Sequence, residues 1–276
     1  MTLAEILSES GYNTVHIGKW HLGDIMETWP NHQGFDFAAF PIHQQGQLTV
    51  FNDDAAAEGI AVGIGKNQYD DKFTLDHWFR PDPAHMATVV EGKRGEKVRE
   101  VHMKPGERWT EAKYAEMNQR YQDQTMEHLR KLAAQDKPFF LQYWPLWPLN
   151  FVNDQEQNES LNGGHFAEKL QRLDGMLGEV IDKVDELGIA ENTLIVLMAD
   201  NGLMHLYPSY TSGLNELVYR GGKTDHLEGG VRVDAFVRWP GVIEAGSAAG
   251  DIVHVSDLYT TFARLGQAKQ YIPKDR

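Results

Sequence analysis

Apolar and polar positions along this chain alternate between the periods of helix and strand. Thr2 to Ser10 reads as an amphipathic helix capped by Thr2 and stopped at Gly11. Asn13 to Ile17 is a short β-rich run with branched Val15 and Ile17, and it enters the turn Gly18-Lys-Trp-His-Leu-Gly23. From about Asp24 to Arg108 the chain is rich in Gly, Asn, Asp, Pro and Gln, which predicts long loops with a few minor strands. Thr110 to about Gln135 predicts a polar helix. Pro138 to Trp144 is nearly continuous in apolar character and predicts a buried strand, ended by Pro145, Trp147 and Pro148. Phe166, Leu170, Leu173, Leu177, Val180, Val184 and Leu187 form a helical stripe at spacings of 4 and 3, terminated by Gly188. Thr193 to Ala199 predicts the clearest buried strand, central in its sheet, with Asp200-Asn-Gly202 where it emerges. Val231 to Trp239 predicts another strand, and Ser256 to Leu265 a last helix ending at Gly266. Helices alternating with buried strands are the grammar of α/β proteins.

Composition narrows the classes of function. The 276 residues suffice for a large α/β domain with a substantial core. With 26 basic and 40 acidic residues, the net charge of −14 argues against a nucleic-acid surface and against electrostatic binding to anionic membranes. No apolar run has the length of a membrane-spanning helix, and the expectation is a soluble protein. An anionic substrate must therefore be held by local charges or a metal. The absence of cysteine rules out disulfides, thiolate zinc sites and a cysteine nucleophile within the chain, and leaves the compartment undetermined. Met1 leads directly into the first helix with no signal peptide, an opening that predicts upstream sequence absent from this chain.

Three segments carry candidate chemistry. Lys19 and His21 are two positions apart, so in an extended segment they point the same way, roughly 6.5 Å apart, and can face one anion. The same pair also reads as a surface lysine beside a loop histidine, with Trp20 in the core. Asp200 and Asn201 leave the carboxyl end of a strand, where open α/β sheets place their ligand sites, and their oxygens suit Ca²⁺ or Mg²⁺. Asp-Asn-Gly is equally a good turn. Lys223 precedes Glu228-Gly-Gly-Val-Arg232 and suits a sulfate or phosphate oxygen, or is a solvated loop lysine. His77, His85, His102 and His165 show no ligand spacing.

Together these segments resemble the sulfatase family. Thr2-Leu-Ala-Glu, Gly11-Tyr-Asn-Thr14, Gly18-Lys-Trp-His-Leu-Gly23 and Gly34-Phe-Asp36 are similar to its second signature region, in the usual order. Lys137-Pro-Phe-Phe-Leu141, Asp174, Glu191-Asn-Thr193, Asp200-Asn-Gly202, Lys223, Glu228-Gly-Gly-Val-Arg-Val233, Trp239-Pro-Gly241 and Asp257-Leu-Tyr259 continue the pattern. The resemblance implies an alkaline-phosphatase-like α/β/α sandwich with a mostly parallel mixed central sheet, here missing its first strand. It implies a single domain over 1–276, with 24–108 as a loop-rich insertion and the family's N- and C-terminal parts absent. It implies hydrolysis of aryl or carbohydrate sulfate esters, with one bound divalent cation. Asp200 and Asn201 match metal ligands, Lys19 matches the lysine that contacts nucleophile and sulfate, His21 the histidine that helps collapse the sulfated intermediate, and Lys223 the sulfate-binding lysine. All five are expected in one cleft.

Departures from the pattern shape the functional expectation. The family nucleophile is a formylglycine made from Cys or Ser in a Cys/Ser-x-Pro-x-Arg motif. None of the seven serines here begins a Ser-x-Pro, and the formylglycine precursor is absent. Leu146 stands where a sulfate-binding or acid-donating histidine is expected. The resulting expectation is an impaired sulfuric ester hydrolase, with Ca²⁺ or Mg²⁺ binding weak or absent. The alternatives are phosphate or phosphonate ester hydrolysis by metal-bound hydroxide, needing extra ligands from Asp24, Asp36, His205 or a second chain, and a non-catalytic oxyanion-binding protein. Unpaired strands in a sheet lacking its first strand predict self-association, most simply as a dimer.

Overall fold

A computed structural model describes residues 1–23, 25–41, 89–102, 111–146, 164–202, 218–223 and 225–273. They form two compact units, one from residues 1–41, 89–146 and 249–273, the other from residues 164–248.

The first unit opens on α1 (Leu3–Glu9). The Thr2 hydroxyl accepts the Glu5 N–H at 3.1 Å while the Glu5 carboxylate accepts the Thr2 N–H, a reciprocal cap that satisfies two otherwise orphaned donors. Ile6 and Leu7 are buried against Ala263 and Ala268, so α1 packs on α5 (Val255–Leu265). The sheet that α1 covers has five strands in the order β4-β3-β2-β1-β5. Its members are β1 (Asn13–Gly18), β2 (Phe37–Pro41), β3 (Val89–Lys93), β4 (Arg99–His102) and β5 (Phe139–Trp144). β1 runs parallel to β2 and β5, and the pairs β2–β3 and β3–β4, on the other side of the sheet, are antiparallel. α2 (Glu111–Ala133) packs on β1 and β5, burying Met117, Tyr121, Leu129 and Leu132 along one face. Strand alternation sends Thr14 and His16 to the face that carries Trp20, Phe35 and Ala4, and Val15 and Ile17 to the opposite face.

Three strands of this sheet come from the segment expected to hold loops and minor strands. β2 is fully buried at Ala38, Ala39 and Phe40 and lies inside the sheet. Its five residues are too few to stand out in a polar stretch, and the β1 partner that makes them a strand lies some twenty positions away. β5 is half-buried rather than buried, because β1 is its one partner among the described strands.

In the second unit α3 (Gly164–Glu186) buries Met176 and Val184, while Leu170 on the same stripe is exposed. β6 (Ile195–Met198) pairs antiparallel with β7 (Ala235–Arg238), which follows the single turn α4 (Glu228–Val231). Arg238 binds both oxygens of Asp185 at 2.8 and 3.0 Å, and the Trp239 indole donates to Glu191 O at 2.8 Å. These bonds tie the ribbon to α3 and its following turn. The expectation of a buried, central strand at Thr193 to Ala199 is corrected here: Leu197 and Met198 are 38% and 37% exposed, and β7 is the one described neighbour. A two-stranded ribbon buries only the face another layer covers.

Candidate functional site

The carboxyl end of β1 is built by a forced turn. Gly18 has φ +107°, and a Cβ there would fall 1.9 Å from the carbonyl oxygen of Trp144 on β5. Only glycine lets the two strands close at this point. The same oxygen accepts the Lys19 N–H at 2.8 Å. Trp20 then turns inward, 6% exposed, and its indole donates to Thr28 O at 2.9 Å. Half-buried Lys19 and exposed His21 flank this anchor, where β1 leaves the sheet.

Beneath the turn lies His16, fully buried. Its Nδ1 is 3.2 Å from Gln142 Oε1 and its Nε2 is 3.3 Å from Gly18 O. Trp20, Trp144 and Phe35 surround the ring, with centroids 5.0, 5.2 and 5.3 Å away. Burial lowers its pKa from the ordinary 6.5 to about 4, although the backbone at Gly18 and Lys19 opposes the shift. The imidazole is therefore neutral at physiological pH. Sequence reasoning missed His16, Gln142 and Trp144; alternation back from Gly18 was the signal that could have found the first.

In the second unit Asp200, Asn201 and Gly202 follow β6. Gly202 N–H donates to Gly230 O at 3.0 Å, and a Cβ on Gly202 would fall 1.8 Å from Gly229 O. Gly229 N–H in turn donates to Arg220 O at 2.8 Å, and Gly222 N–H to Asp225 Oδ2 at 3.1 Å. The Asp200-Asn201 turn and the loop carrying Lys223 are thus bound to the same pair of glycines. Asp200 is exposed, and Asn201 donates its side-chain amide N–H to Gly202 O at 2.9 Å. These are hard oxygen donors that fit Ca²⁺ or Mg²⁺, but two fall short of the six to eight that Ca²⁺ takes. Among the described residues no group of three or more His, Asp or Glu is arranged to hold a metal.

The expected set divides between the units, with Lys19 and His21 in the first and Asp200, Asn201 and Lys223 in the second. Asp36, an expected auxiliary ligand, is corrected: it accepts from Thr14 N at 2.9 Å and pairs with Arg94 at 3.0 Å, at the amino end of β1. Its oxygens are committed to structure at the wrong end of the strand. Asp24, His77, His85 and His205 lie outside the described residues. Leu146 is 3% exposed, and its N–H donates to Asn118 Oδ1 at 3.0 Å, so an aliphatic side chain is buried beside α2 where a histidine is expected.

A family model described as Sulfatase matches residues 1–268, across both units. The chain belongs to the sulfatase family. Steryl-sulfatase of Rattus norvegicus is 30% identical over 316 residues, covering all of this chain and 53% of the relative. Arylsulfatase A of Homo sapiens is 30% identical over 279 residues, covering 97% and 48%. The crystal structure of PsFucS1 sulfatase from Pseudoalteromonas sp. superposes with a TM-score of 0.77 at 26% identity, covering 99% of this chain and 51% of that one. This sulfatase-family chain spans about half the length of the curated relatives it matches. Its mixed sheet, with parallel strands on one side, antiparallel strands on the other and helices around it, is the alkaline-phosphatase-like α/β fold.

Proposed function

We propose that this chain carries the sulfate-binding machinery of a sulfuric ester hydrolase acting on aryl or carbohydrate sulfates. The observation that carries the reading is the sulfatase match across 1–268, with Lys19 and His21 on the Gly18 turn at the carboxyl end of β1. In this reading Lys19 and Lys223 neutralise the sulfate oxygens, and His21 moves a proton as the ester is cleaved. Asp200 and Asn201 would hold a divalent cation, which when bound draws charge from the sulfate oxygens. Sulfatase catalysis is covalent, and the chain contains neither cysteine nor a Ser-x-Pro, so its own turnover is impaired while binding persists.

The buried Leu146 favours one second reading, a non-catalytic oxyanion-binding protein, because no proton donor stands at that position. Titrating the chain with inorganic sulfate and with an aryl sulfate, while monitoring release of the phenol, tests both. Binding that Lys19→Ala or Lys223→Ala weakens supports the sulfate site, and turnover in the same sample would decide for the enzyme. An absence of sulfate and ester binding would refute both. We further propose self-association, supported by exposed Leu197, Met198, Phe236 and Val237 on the β6–β7 ribbon. A monomer by sedimentation at micromolar concentration would contradict it. Among the described residues no helix is long and apolar enough to cross a membrane.

A further inference from the structure

We infer that His16 is a positioning residue for Lys19, holding the peptide on which Lys19 leaves the strand. The inference rests on the proposed role of Lys19 as a sulfate ligand. Burying an imidazole among three aromatic rings has a desolvation cost that leucine or phenylalanine would not carry, so its hydrogen bonds need a reason. Both ring nitrogens have a partner, yet a neutral imidazole has one N–H. The Gly18 carbonyl can only accept, which places the proton on Nε2. Gln142 must then turn its amide nitrogen toward Nδ1, a choice open to a side-chain amide and closed to a backbone carbonyl.

The Gly18–Lys19 peptide unit is consequently held at both polar ends. Its C=O accepts from His16 Nε2 at 3.3 Å, and its N–H donates to Trp144 O at 2.8 Å. Two bonds on opposite sides fix the plane of a peptide that glycine would otherwise leave free to rotate. The plane fixes the N–Cα axis from which the Lys19 side chain projects. Gln142 lies directly opposite His16 in the β1–β5 register, so both restraints come from the same strand pair.

The test combines a spectroscopic readout with rescue. Long-range ¹H–¹⁵N correlation of the full chain should show His16 as the Nε2–H tautomer, and the Nδ1–H tautomer would overturn the inference without any mutation. Inorganic sulfate binding, read by calorimetry, should fall about tenfold in His16→Leu, the worth of one hydrogen bond, and be restored in His16→Gln, whose amide can reach the Gly18 carbonyl. A core-packing role predicts the reverse, with leucine tolerated and glutamine not. Wild-type affinity in His16→Leu, with Lys19→Ala still impaired, would overturn the inference alone. Unchanged affinity in Lys19→Ala would remove the reading of Lys19 and the inference with it.

Discussion

Acidification should cost this protein stability through one residue. His16 is fully buried and no charged neighbour contributes to its shift, so the folded ring holds its proton only below about pH 4, whereas the unfolded ring takes one up near 6.5. Above 6.5 both states are neutral and the full contribution is present. As pH falls from 6.5, the unfolded chain gains a proton that the folded chain refuses, and stability drops until the folded ring also protonates near 4. At 1.36 kcal/mol per pKa unit the whole window is worth about 3 kcal/mol, of which about 2.5 is spent by pH 4.5. That is a large share of the roughly 5–15 kcal/mol typical of a folded domain. Urea denaturation of wild type and His16→Gln at several values between pH 7.5 and 4.5 isolates the effect, since every other titrating group is common to both. The difference in unfolding free energy should shift by about 2.5 kcal/mol against the wild type over that range. Parallel pH profiles, or a His16 titration near 6.5 by NMR, would refute the reasoning.

Gly18→Ala places a Cβ within 1.9 Å of Trp144 O at φ +107°, and should destabilise by roughly 3 kcal/mol by urea denaturation while abolishing sulfate binding. Gln267 is the one non-glycine with positive φ among the described residues, at +55°, where it closes α5 through Ala268 N–H to Ala263 O. Gln267→Gly should therefore stabilise by about 0.5–1 kcal/mol in the same assay, and a loss of stability would contradict the strain. Ca²⁺ binding measured by calorimetry should be weak and should weaken further in Asp200→Ala; tight binding abolished by that change would show that ligands beyond Asp200 and Asn201 complete the site.

What the sequence made legible was what local periodicity encodes. The Thr2 cap, the Asn13 strand, the Gly18 turn and the long helices all depend on neighbours within a few positions, and they stand where the pattern puts them. β2 and β3 pair with each other across some fifty positions, β4 is a four-residue strand paired only with β3 among the described strands, and polar flanks disguised all three. The end of α5 shows the same limit on a smaller scale: Gly266 marks the stop, yet it keeps φ −79° while Gln267 takes the left-handed position. Of the candidate residues, Lys19, His21, Asp200, Asn201 and Lys223 were legible because they are exposed or half-buried polar residues in glycine-bounded turns. His16 was not, because one histidine inside an apolar strand reads as an interruption until its partners on β5 are known.

Leu146 gives a physical basis for separating binding from turnover. β5 ends at Trp144, opposite Gly18, so the chain at Leu146 has only just left the strand that supports the Lys19 turn. Its backbone is fixed by Asn118 on α2 and its side chain is buried, so the position contributes packing and neither charge nor a proton. Cations that attract sulfate need only be present and oriented, whereas ester cleavage also needs an attacking atom and a proton for the leaving oxygen. In the proposed reading the first requirement rests on Lys19, whose peptide is restrained by the glycine turn, the Trp144 carbonyl, the inward Trp20 and the neutral His16. The second requirement finds no cysteine, no Ser-x-Pro and an aliphatic side chain at 146. Under the proposed reading, anion affinity is the property that the restraints around Lys19 bear on, and calorimetry with inorganic sulfate measures it.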